Sequence, residues 1–351
     1  MPTSPASSLD QTEALAERVR AGGPLRLEGG GTRGFYGRRV EGLALSLAGH
    51  RGVVDYDPSE LVITARAGTP LTEIEALLSD QNQMLAFEPP SFGSSGTLGG
   101  AVATGLSGPR RPFMGPLRDY VLGAKIMNPQ GEVMAFGGTV FKNVAGFDAF
   151  RLMAGSLGAF GPILEVSLRV TPQPRAERAL VFDLDGGKAH AWVANLMRRP
   201  LPLSGAFHDG DRLHLRLSGG EAGVAAACAE LGGEEAALST WEAVRNMTHP
   251  AFHRAVLWRV SLPPTGRAEG FEDTVWDWAG GQRWLGADSV DPAVWARAAR
   301  AGGHATLFRG RSPDDHVFQP LESAVLALHK RLKSALDPAG IFNPGVMYEG
   351  L

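Results

Sequence analysis

Hydrophobic and polar residues recur along the chain with the periods of both helices and strands. An apolar stripe at helical spacing predicts a helix over 9–20 and another over 321–336, the second with Leu321, Val325, Leu328, Leu332 and Leu336 on its apolar face. Thr69 is expected to cap a third helix, which begins at Pro70 and carries the apolar residues Leu71, Ile74, Leu77 and Leu78. Strand-like runs occur at 25–27, 53–56, 61–66 and 163–170.

Turn residues between such runs predict two hairpins. Asn128-Pro129-Gln130-Gly131 separates the apolar runs 120–127 and 132–136. Asp209-Gly210 lies between two further strand-like runs and is the usual signal of a tight hairpin.

Pro172 and Pro174 mark a change in the character of the chain. Most of the tryptophans and histidines follow them, in a region where short strands alternate with alanine-rich helices. We therefore predict an α+β protein in four parts: a disordered tail at 1–8, a first domain at 9–175, an α+β second domain at 176–310, and a C-terminal segment at 311–351.

Charge and cysteine content exclude several classes of function. The net charge of −3 offers no field that would attract a nucleic acid. No run approaches about 18 apolar residues, and the polar N-terminus lacks an apolar signal region, so a cytoplasmic protein is expected. Cys228, the single cysteine, can form no intrachain disulfide and cannot hold an iron–sulfur cluster. The histidines show no metal-ligand spacing, and no metal is predicted.

Three glycine-dense stretches, 28–34, 91–100 and 155–161, are the most informative feature of the chain. Glycine permits close backbone approach, so that several N–H groups can converge on one anion. Three such loops favour a long ligand with several phosphates, and a dinucleotide is the natural candidate.

The first loop has the spacing of a Rossmann dinucleotide site. Gly29, Gly31 and Gly34 satisfy G-x-G-x-x-G, and Asp55 follows about twenty residues later. A Rossmann site needs a helix that starts at the loop, whereas 35–42 contains two more glycines and no apolar stripe. The Rossmann interpretation, and with it a nicotinamide-dependent dehydrogenase, is therefore disfavoured.

Several ordered stretches together resemble a known family. They are Glu28 to Thr32, Glu88 to Ala103, Gly105 to Pro112, Phe141 to Asp148, Leu152 to Gly161, and Leu336 to Gly345. In this order they resemble the FAD-binding proteins of the vanillyl-alcohol oxidase and D-lactate dehydrogenase type. Within that superfamily the chain is most similar to the FAD-binding subunits of bacterial glycolate oxidase.

This resemblance implies a fold, a cofactor and the residues that hold it. The fold implied is a two-subdomain PCMH-type FAD-binding domain, followed by a smaller ferredoxin-like cap and a C-terminal helix that returns to the FAD domain. The implied cofactor-binding residues are Gly29, Gly30, Gly31, Thr32, Arg33, Gly34, Pro90, Gly93, Gly96, Thr97, Leu98, Gly99, Gly100, Ala103, Gly105, Arg110, Asn143, Gly158, Ala159, Gly161, Ile163 and Asn343. Asn143 and Asn343 would lie nearer the isoalloxazine, although Asn343 before Pro344 is equally typical of a turn.

The FAD is expected to be non-covalent. Some relatives tether the flavin through a histidine of the first loop or through a cysteine. This first loop contains no histidine, and Cys228 lies in the other domain.

Oxidation of a 2-hydroxy acid needs a cation for the carboxylate and a base for the hydroxyl proton. Arg259, Arg309 and the pair Arg110–Arg111 are candidates for the first task, and His304 for the second. Each of these residues could instead form an ordinary surface ion pair or lie solvated at the edge of a strand. The segment from His208 to His214 departs from the metal- or substrate-binding signature of the D-lactate dehydrogenases, which supports the hairpin interpretation.

The resemblance implies the FAD-binding subunit of a glycolate (2-hydroxy acid) oxidase or dehydrogenase complex. Its partners would be a second flavin subunit and an iron–sulfur subunit, and the complex could lie at the inner face of the membrane. Two alternatives stay open: a structural flavoprotein subunit without turnover, and a stand-alone D-2-hydroxy-acid dehydrogenase.

Overall fold

The computed structural model describes residues 9–139, 148–264, 268–310 and 316–351. The helices in these ranges are α1 (Thr12–Arg20), α2 (Leu71–Ser79), α3 (Leu98–Thr104), α4 (Arg111–Met114), α5 (Ala149–Leu152), α6 (Gly186–Leu196), α7 (Glu221–Leu231), α8 (Ser239–Arg245), α9 (Ala293–Arg300) and α10 (Ser323–Leu336). Short 3₁₀ helices occur at Leu117–Asp119, Pro250–Phe252 and Trp278–Gly280.

The strands of these ranges are β1 (Leu25–Glu28), β2 (Leu43–Ser46), β3 (Val53–Asp57), β4 (Val62–Arg66), β5 (Gln83–Met84), β6 (Val121–Met127), β7 (Val133–Gly137), β8 (Ile163–Arg169), β9 (Thr171–Pro172), β10 (Ala176–Phe182), β11 (Leu203–His208), β12 (Leu213–Gly219), β13 (Glu234–Ala236), β14 (Val256–Ser261), β15 (Val275–Asp277), β16 (Gln282–Ala287) and β17 (His304–Arg309). Helices and sheets are both well represented, which confirms the α+β class.

The chain divides into two units. The first unit comprises Met1–Leu106, Pro116–Pro172 and Leu321–Leu351, and the second comprises Ser107–Gly115 and Gln173–Pro320. The C-terminal residues thus belong to the unit that contains the glycine loops. The short stretch around α4 belongs to the second unit, although it lies inside the first unit in sequence.

The first unit contains a five-stranded antiparallel sheet in the order β3-β4-β8-β6-β7. Its central strands are almost entirely buried, because apolar side chains occupy both faces of β4 and β8. β1 and β2 form a separate parallel pair. Leu25 and Leu45 of that pair pack with α1 and with Phe342 in one apolar cluster.

The second unit contains an eight-stranded sheet in the order β13-β10-β12-β11-β15-β16-β14-β17. Its first half follows the chain order β10-α6-β11-β12-α7-β13, which is the ferredoxin-like arrangement. The strands of the second half are arranged in the same way, and the halves meet through the pairing of His208 with Trp276. The predicted ferredoxin-like cap is therefore present as two fused halves.

Several local predictions are confirmed. Both hairpins form, one joining β6 to β7 and the other joining β11 to β12. Helices are present near both ends of the chain, as α1 and α10. Residues 35–42 form no helix, so the rejection of a Rossmann site after the first loop is confirmed.

The predicted cap at Thr69 is wrong. Pro70 occupies the N-cap position of α2, and no side chain caps the helix. The Thr69 hydroxyl instead donates to the Arg66 carbonyl (2.7 Å) and accepts from the Gly52 amide (2.9 Å). The hydroxyl therefore closes a turn between buried segments and is not available to the helix.

None of the helices in the described ranges has the length and apolar content that a membrane span requires.

Candidate functional site

The first unit contains a cleft built on β1 and on the loop that follows it. β1 pairs with the C-terminal segment, where the Leu25 amide donates to the Ile341 carbonyl (2.7 Å) and the Asn343 amide donates to the Leu25 carbonyl (2.9 Å). β1 ends at Glu28, and the chain then enters the first glycine loop. The C-terminus therefore forms part of the same wall as β1.

Many of the residues predicted to bind the cofactor line this cleft: Gly29, Thr97, Gly99, Gly100, Ala103, Gly158, Gly161, Ile163 and Asn343. The remaining lining residues are Leu27, Glu28, Leu47, Ala67, Leu157 and Pro162, which the sequence analysis did not select. Most of these are apolar residues at the ends of strands or in loops. Glu28 and Leu157 belong to the first and third glycine-dense stretches, whereas no motif distinguishes Leu27, Leu47, Ala67 and Pro162 from core residues in the sequence.

Close backbone contact between two glycine loops shapes the cleft. A Cβ atom on Gly30 would lie 1.5 Å from the Ser95 carbonyl oxygen, a distance that no side chain can occupy. The Ser95 hydroxyl in turn donates to the Gly30 carbonyl (3.0 Å). Glycine at this position lets the first and second loops approach, and their N–H groups remain near the same part of the cleft.

Arg33 places a positive charge beside these loops. Its Nη1 donates to the Thr32 hydroxyl (3.2 Å), its Nη2 donates to the Pro90 carbonyl, and its Nε is buried without a hydrogen-bond partner. A Cβ atom on Gly100, in the first turn of α3, would lie 3.3 Å from Nη1. Burial lowers the pKa of Arg33 to about 10. The acceptors of these two hydrogen bonds are neutral oxygens, so the positive charge of the guanidinium is available to an anionic ligand.

Asn343 joins the two sides of the cleft. Its Oδ1 accepts from the Leu27 amide (2.7 Å), and its Nδ2 donates to the Leu157 carbonyl (2.6 Å). A Cβ atom on Gly158 would lie 2.9 Å from the same Nδ2, and Gly158 has φ +73°. Asn343 therefore both lines the cleft and ties β1 to the third glycine loop.

Other predicted cofactor residues lie outside the cleft lining. Gly105 ends α3 in a left-handed conformation, and Leu98 and Ala159 are buried. Arg110 belongs to the second unit, where it is buried and paired with Glu177. Asn143 lies outside the described residues. The remaining predicted residues that do not line the cleft are Gly30, Gly31, Thr32, Arg33, Gly34, Pro90, Gly93 and Gly96.

In the second unit two arginines contact Trp278, and the charges of both arginines act on His304. The guanidinium carbons of Arg111 and Arg259 lie 4.2 Å and 5.1 Å from the centroid of the Trp278 ring. Arg259 pairs with Thr306 across the sheet, and His304 lies two residues before Thr306, so Arg259 and His304 share a face. The Arg259 Nε donates to the Gln282 Oε1 (2.6 Å). This cluster can receive a carboxylate.

Electrostatics favour a neutral His304. Desolvation, followed by the positive charges of Arg259 and Arg111, lowers the pKa of this imidazole below its usual 6.5. The side chain nevertheless retains an exposed surface. A neutral, accessible imidazole can accept a proton near pH 7.

The backbone that carries Trp278 is strained. Trp278 and Ala279 have φ values of +54° and +55°, a region that disfavours residues with a Cβ atom by on the order of 1 kcal/mol or more. The Asp277 Oδ1 accepts from the Trp278 amide (2.7 Å), and the indole Nε1 donates to the Gly108 carbonyl (3.0 Å). These bonds hold the ring in the position where both arginines contact it.

Arg309 does not join this cluster. It lies at the opposite end of β17 from His304, and its Nη1 donates to the Phe252 carbonyl (2.6 Å). The structure therefore gives Arg309 a backbone-anchoring contact, away from the other two candidate catalytic residues.

The segment from His208 to His214 contains the turn of the β11–β12 hairpin, with His208 at the end of β11 and His214 in β12. The Asp209 Oδ1 accepts from the Arg212 amide (2.8 Å), and its Oδ2 lies 2.9 Å from the His214 Nε2. Despite burial, these bonds lower the pKa of Asp209. Within the part of the chain that the structure describes, no three His, Cys, Asp or Glu groups are placed to share a metal ion.

Comparisons with known proteins agree with this arrangement. The sequence profile of an FAD binding domain matches residues 3–137. The chain is 44% identical over 348 residues to glycolate oxidase subunit GlcE of Escherichia coli K12, covering 97% of this chain and 99% of that protein. It is 33% identical to D-lactate dehydrogenase of Anaerostipes hadrus over 142 residues, which cover 40% of this chain and 29% of that enzyme.

A solved structure of alkyldihydroxyacetonephosphate synthase shares the fold. Its TM-score is 0.63 at 14% sequence identity, and the match covers 95% of this chain and 74% of the synthase. The fold and the cleft thus define an FAD-binding protein of the PCMH type. More narrowly, the chain belongs to the family of the FAD-binding glycolate oxidase subunit GlcE.

The residues of the first unit fit FAD. Arg33, which has an unsatisfied buried Nε, supplies positive charge for a diphosphate. The first turn of α3 does not add free donors, because its amides are already bonded within the protein: Leu98 to the Thr69 carbonyl (2.9 Å), Gly99 to the Ala67 carbonyl (2.7 Å) and Gly100 to the Thr97 hydroxyl (3.3 Å). The close approach of Gly30 to Ser95 leaves no room for a side chain between the loops. Leu27, Ala67 and Ile163 offer apolar surface to the rest of the cofactor.

Proposed function

We propose that this chain is the FAD-carrying subunit of a complex that oxidises a small 2-hydroxy acid of the glycolate or D-lactate class. The observation that supports the substrate class is the cluster of Arg111 and Arg259 on Trp278, together with His304, whose imidazole lies within the field of both arginines. The near-full-length relative GlcE is named a glycolate oxidase subunit, and a shorter match is a D-lactate dehydrogenase.

The cluster supplies the two groups that such a reaction needs from the protein. Arg259 and Arg111 would bind the carboxylate, for which a planar guanidinium is well suited. His304 would accept the hydroxyl proton, because its lowered pKa keeps the imidazole neutral near pH 7. FAD, when bound, supplies the acceptor for the hydride that leaves the carbinol carbon.

We also propose that the flavin is held without a covalent bond. The first loop, 28–34, contains no histidine that could be flavinylated. Cys228 is half-buried on α7 of the second unit. Acid precipitation should leave the flavin in the supernatant, and flavin retained in the pellet would contradict the proposal.

The electrons are proposed to leave this flavin for a partner subunit. A single cysteine cannot ligate an iron–sulfur cluster, so any such centre must lie on another chain. The relatives include proteins named as subunits, GlcE and GlcD, the latter from Bacillus subtilis with 28% identity over 141 residues, which cover 40% of this chain and 30% of that protein. We propose a second flavin subunit and an iron–sulfur subunit as the partners.

Anaerobic reduction of the bound flavin tests the proposed function. Glycolate or D-lactate added to the FAD-loaded chain, alone and co-purified with its partners, should bleach the flavin absorbance. Arg259→Met should raise the substrate concentration for half-maximal reduction about tenfold or more, because a charged hydrogen bond to the carboxylate is lost. Arg300→Met, which removes a charge from the exposed end of α9, is the matched control.

If the chain is instead a structural flavoprotein, the same anaerobic reduction experiment should give a different result. Dithionite would then bleach the flavin, whereas no 2-hydroxy acid would do so in either preparation. Bleaching that is equally rapid in the isolated chain and in the complex would instead favour a stand-alone dehydrogenase.

A further inference from the structure

Helix α10 buries a lysine while it exposes part of its apolar stripe. Lys333 is 6% exposed, whereas Val325 and Leu328 are 42% and 55% exposed. A lysine ammonium is seldom buried unless every one of its donors is satisfied. The contacts of Lys333 therefore need an explanation that packing alone does not give.

All three donors of the Lys333 ammonium are used. Nζ donates to the Asp337 Oδ2 (2.8 Å), to the Ala159 carbonyl (2.7 Å) and to the Phe342 carbonyl (2.7 Å). Burial lowers the pKa of Lys333, and the Asp337 carboxylate opposes that effect. One side chain of α10 thus binds two separate backbone segments.

Asp337 completes the arrangement from the end of the helix. Its side chain is buried, its Oδ1 accepts from the Ile341 amide (3.1 Å), and its Oδ2 accepts from the Phe342 amide (2.8 Å). The carboxylate therefore fixes the turn that leads from α10 into the segment paired with β1. Lys333 and Asp337 hold Phe342 through its carbonyl and its amide respectively.

The two carbonyls that Lys333 binds belong to neighbours of cleft residues. Ala159 follows Gly158, and Phe342 precedes Asn343; both Gly158 and Asn343 line the cleft. Asn343 then accepts a hydrogen bond from the Leu27 amide of β1. A continuous set of hydrogen bonds runs from α10 through both segments to the walls of the cleft.

We propose that Lys333 and Asp337 are positioning residues for FAD, and that they hold the third glycine loop and Asn343 at the separation the cofactor requires. This role concerns cofactor binding and does not depend on the identity of the substrate. Without the pair, the 157–161 loop and the 341–343 segment would lose their common anchor, and the cleft would open before FAD could bind.

The test measures FAD affinity separately from the stability of the protein. Lys333→Met, Asp337→Asn and the control Lys330→Met, which alters an exposed lysine of the same helix, are made in the full chain. Each protein is purified with excess FAD, stripped, and titrated with FAD, and the melting temperature of the stripped form is recorded. Lys333→Met should weaken FAD binding about tenfold or more, with a smaller loss for Asp337→Asn, which keeps an acceptor oxygen.

Each outcome decides the proposal. Weakened binding in both Lys333→Met and Asp337→Asn, with the Lys330→Met protein unchanged, supports a positioning role. A lowered melting temperature with unchanged FAD affinity would show that Lys333 and Asp337 only stabilise the fold, and it would overturn the proposed positioning role. Failure of both variants to fold even with excess FAD, while Lys330→Met folds, would count against it in the same way.

Discussion

His304 shows how a single residue takes its chemistry from its surroundings. An isolated imidazole titrates near pH 6.5, and here desolvation and two neighbouring arginines lower that pKa. The charged form is disfavoured in the free protein, which suits the proton acceptor that we propose for this site. A substrate carboxylate bound between Arg111 and Arg259 would offset part of the decrease that these arginines cause in the pKa of His304.

This environment predicts a pH dependence. Protonated His304 cannot act as a base, so kcat/KM for the 2-hydroxy acid should fall as the pH decreases, with its midpoint below pH 6.5 because the pKa is lowered. His304→Gln should reduce kcat/KM by about 10²- to 10⁴-fold and abolish this acid limb. The pH profiles of both proteins check this, and an unchanged limb in the variant would assign the titration to another group.

At the residue scale the sequence predicts the chemical type of a side chain better than it predicts the neighbours of that side chain. The sequence predicts Arg259 as a cation and His304 as a base, and the sheet places both on one face. It predicts Arg309 as a cation too, yet Arg309 lies at the other end of its strand from His304. Arg111 joins the cluster through its contact with the Trp278 ring, which lies more than 160 residues later in the sequence. No local sequence pattern predicts such a contact.

The glycine loops make their own prediction at the scale of elements. A methyl group at Gly30 would overlap the Ser95 carbonyl, so Gly30→Ala should force the first and second loops apart and weaken FAD binding about tenfold or more. At Gly34, in the same loop, a Cβ atom would meet no atom within 4 Å, and its φ is not in the left-handed region.

Gly34→Ala is therefore the matched control, and its FAD affinity should stay within about twofold of the parent because exposed substitutions of this kind change little. FAD titrations of the two variants side by side provide the measurement. Equal affinities for Gly30→Ala and Gly34→Ala would show that the contact between the loops does not matter for the cofactor.

Periodicity predicted the elements more reliably than their orientation. The stripe along α10 is present in the sequence, and the helix forms where it is expected. Lys333 nevertheless faces inward, because it donates hydrogen bonds to two backbone carbonyls and to Asp337. Val325 and Leu328 of the apolar stripe stay exposed. These hydrogen bonds are tertiary contacts, and a hydrophobic pattern does not predict them.

At the scale of the whole molecule, the class of fold followed from sequence because its signals are local and repeated. Turn residues marked both hairpins, and glycine loops at three places indicated a ligand held by backbone. The doubling of the ferredoxin-like arrangement was not foreseen, since β15 is only three residues long and carries little alternation. The assignment of the α4 stretch to the second unit also depends on contacts distant in sequence.

The two units divide the proposed work between a cofactor cleft and an anion-binding cluster. The first unit offers a buried cation and backbone donors for a diphosphate, and the second offers arginines and a base for a hydroxy acid. The lone Cys228 cannot ligate an iron–sulfur cluster, so the proposed transfer of electrons would need a partner chain. A complex subunit accounts for all three features.

A crystal structure of the protein saturated with FAD tests the central claim most directly. The account predicts that the FAD diphosphate contacts the Arg33 guanidinium and the amides of the first glycine loop near Gly29, with no covalent bond to the flavin. A diphosphate bound away from the first glycine loop, with the Arg33 Nε still lacking a partner, would contradict it.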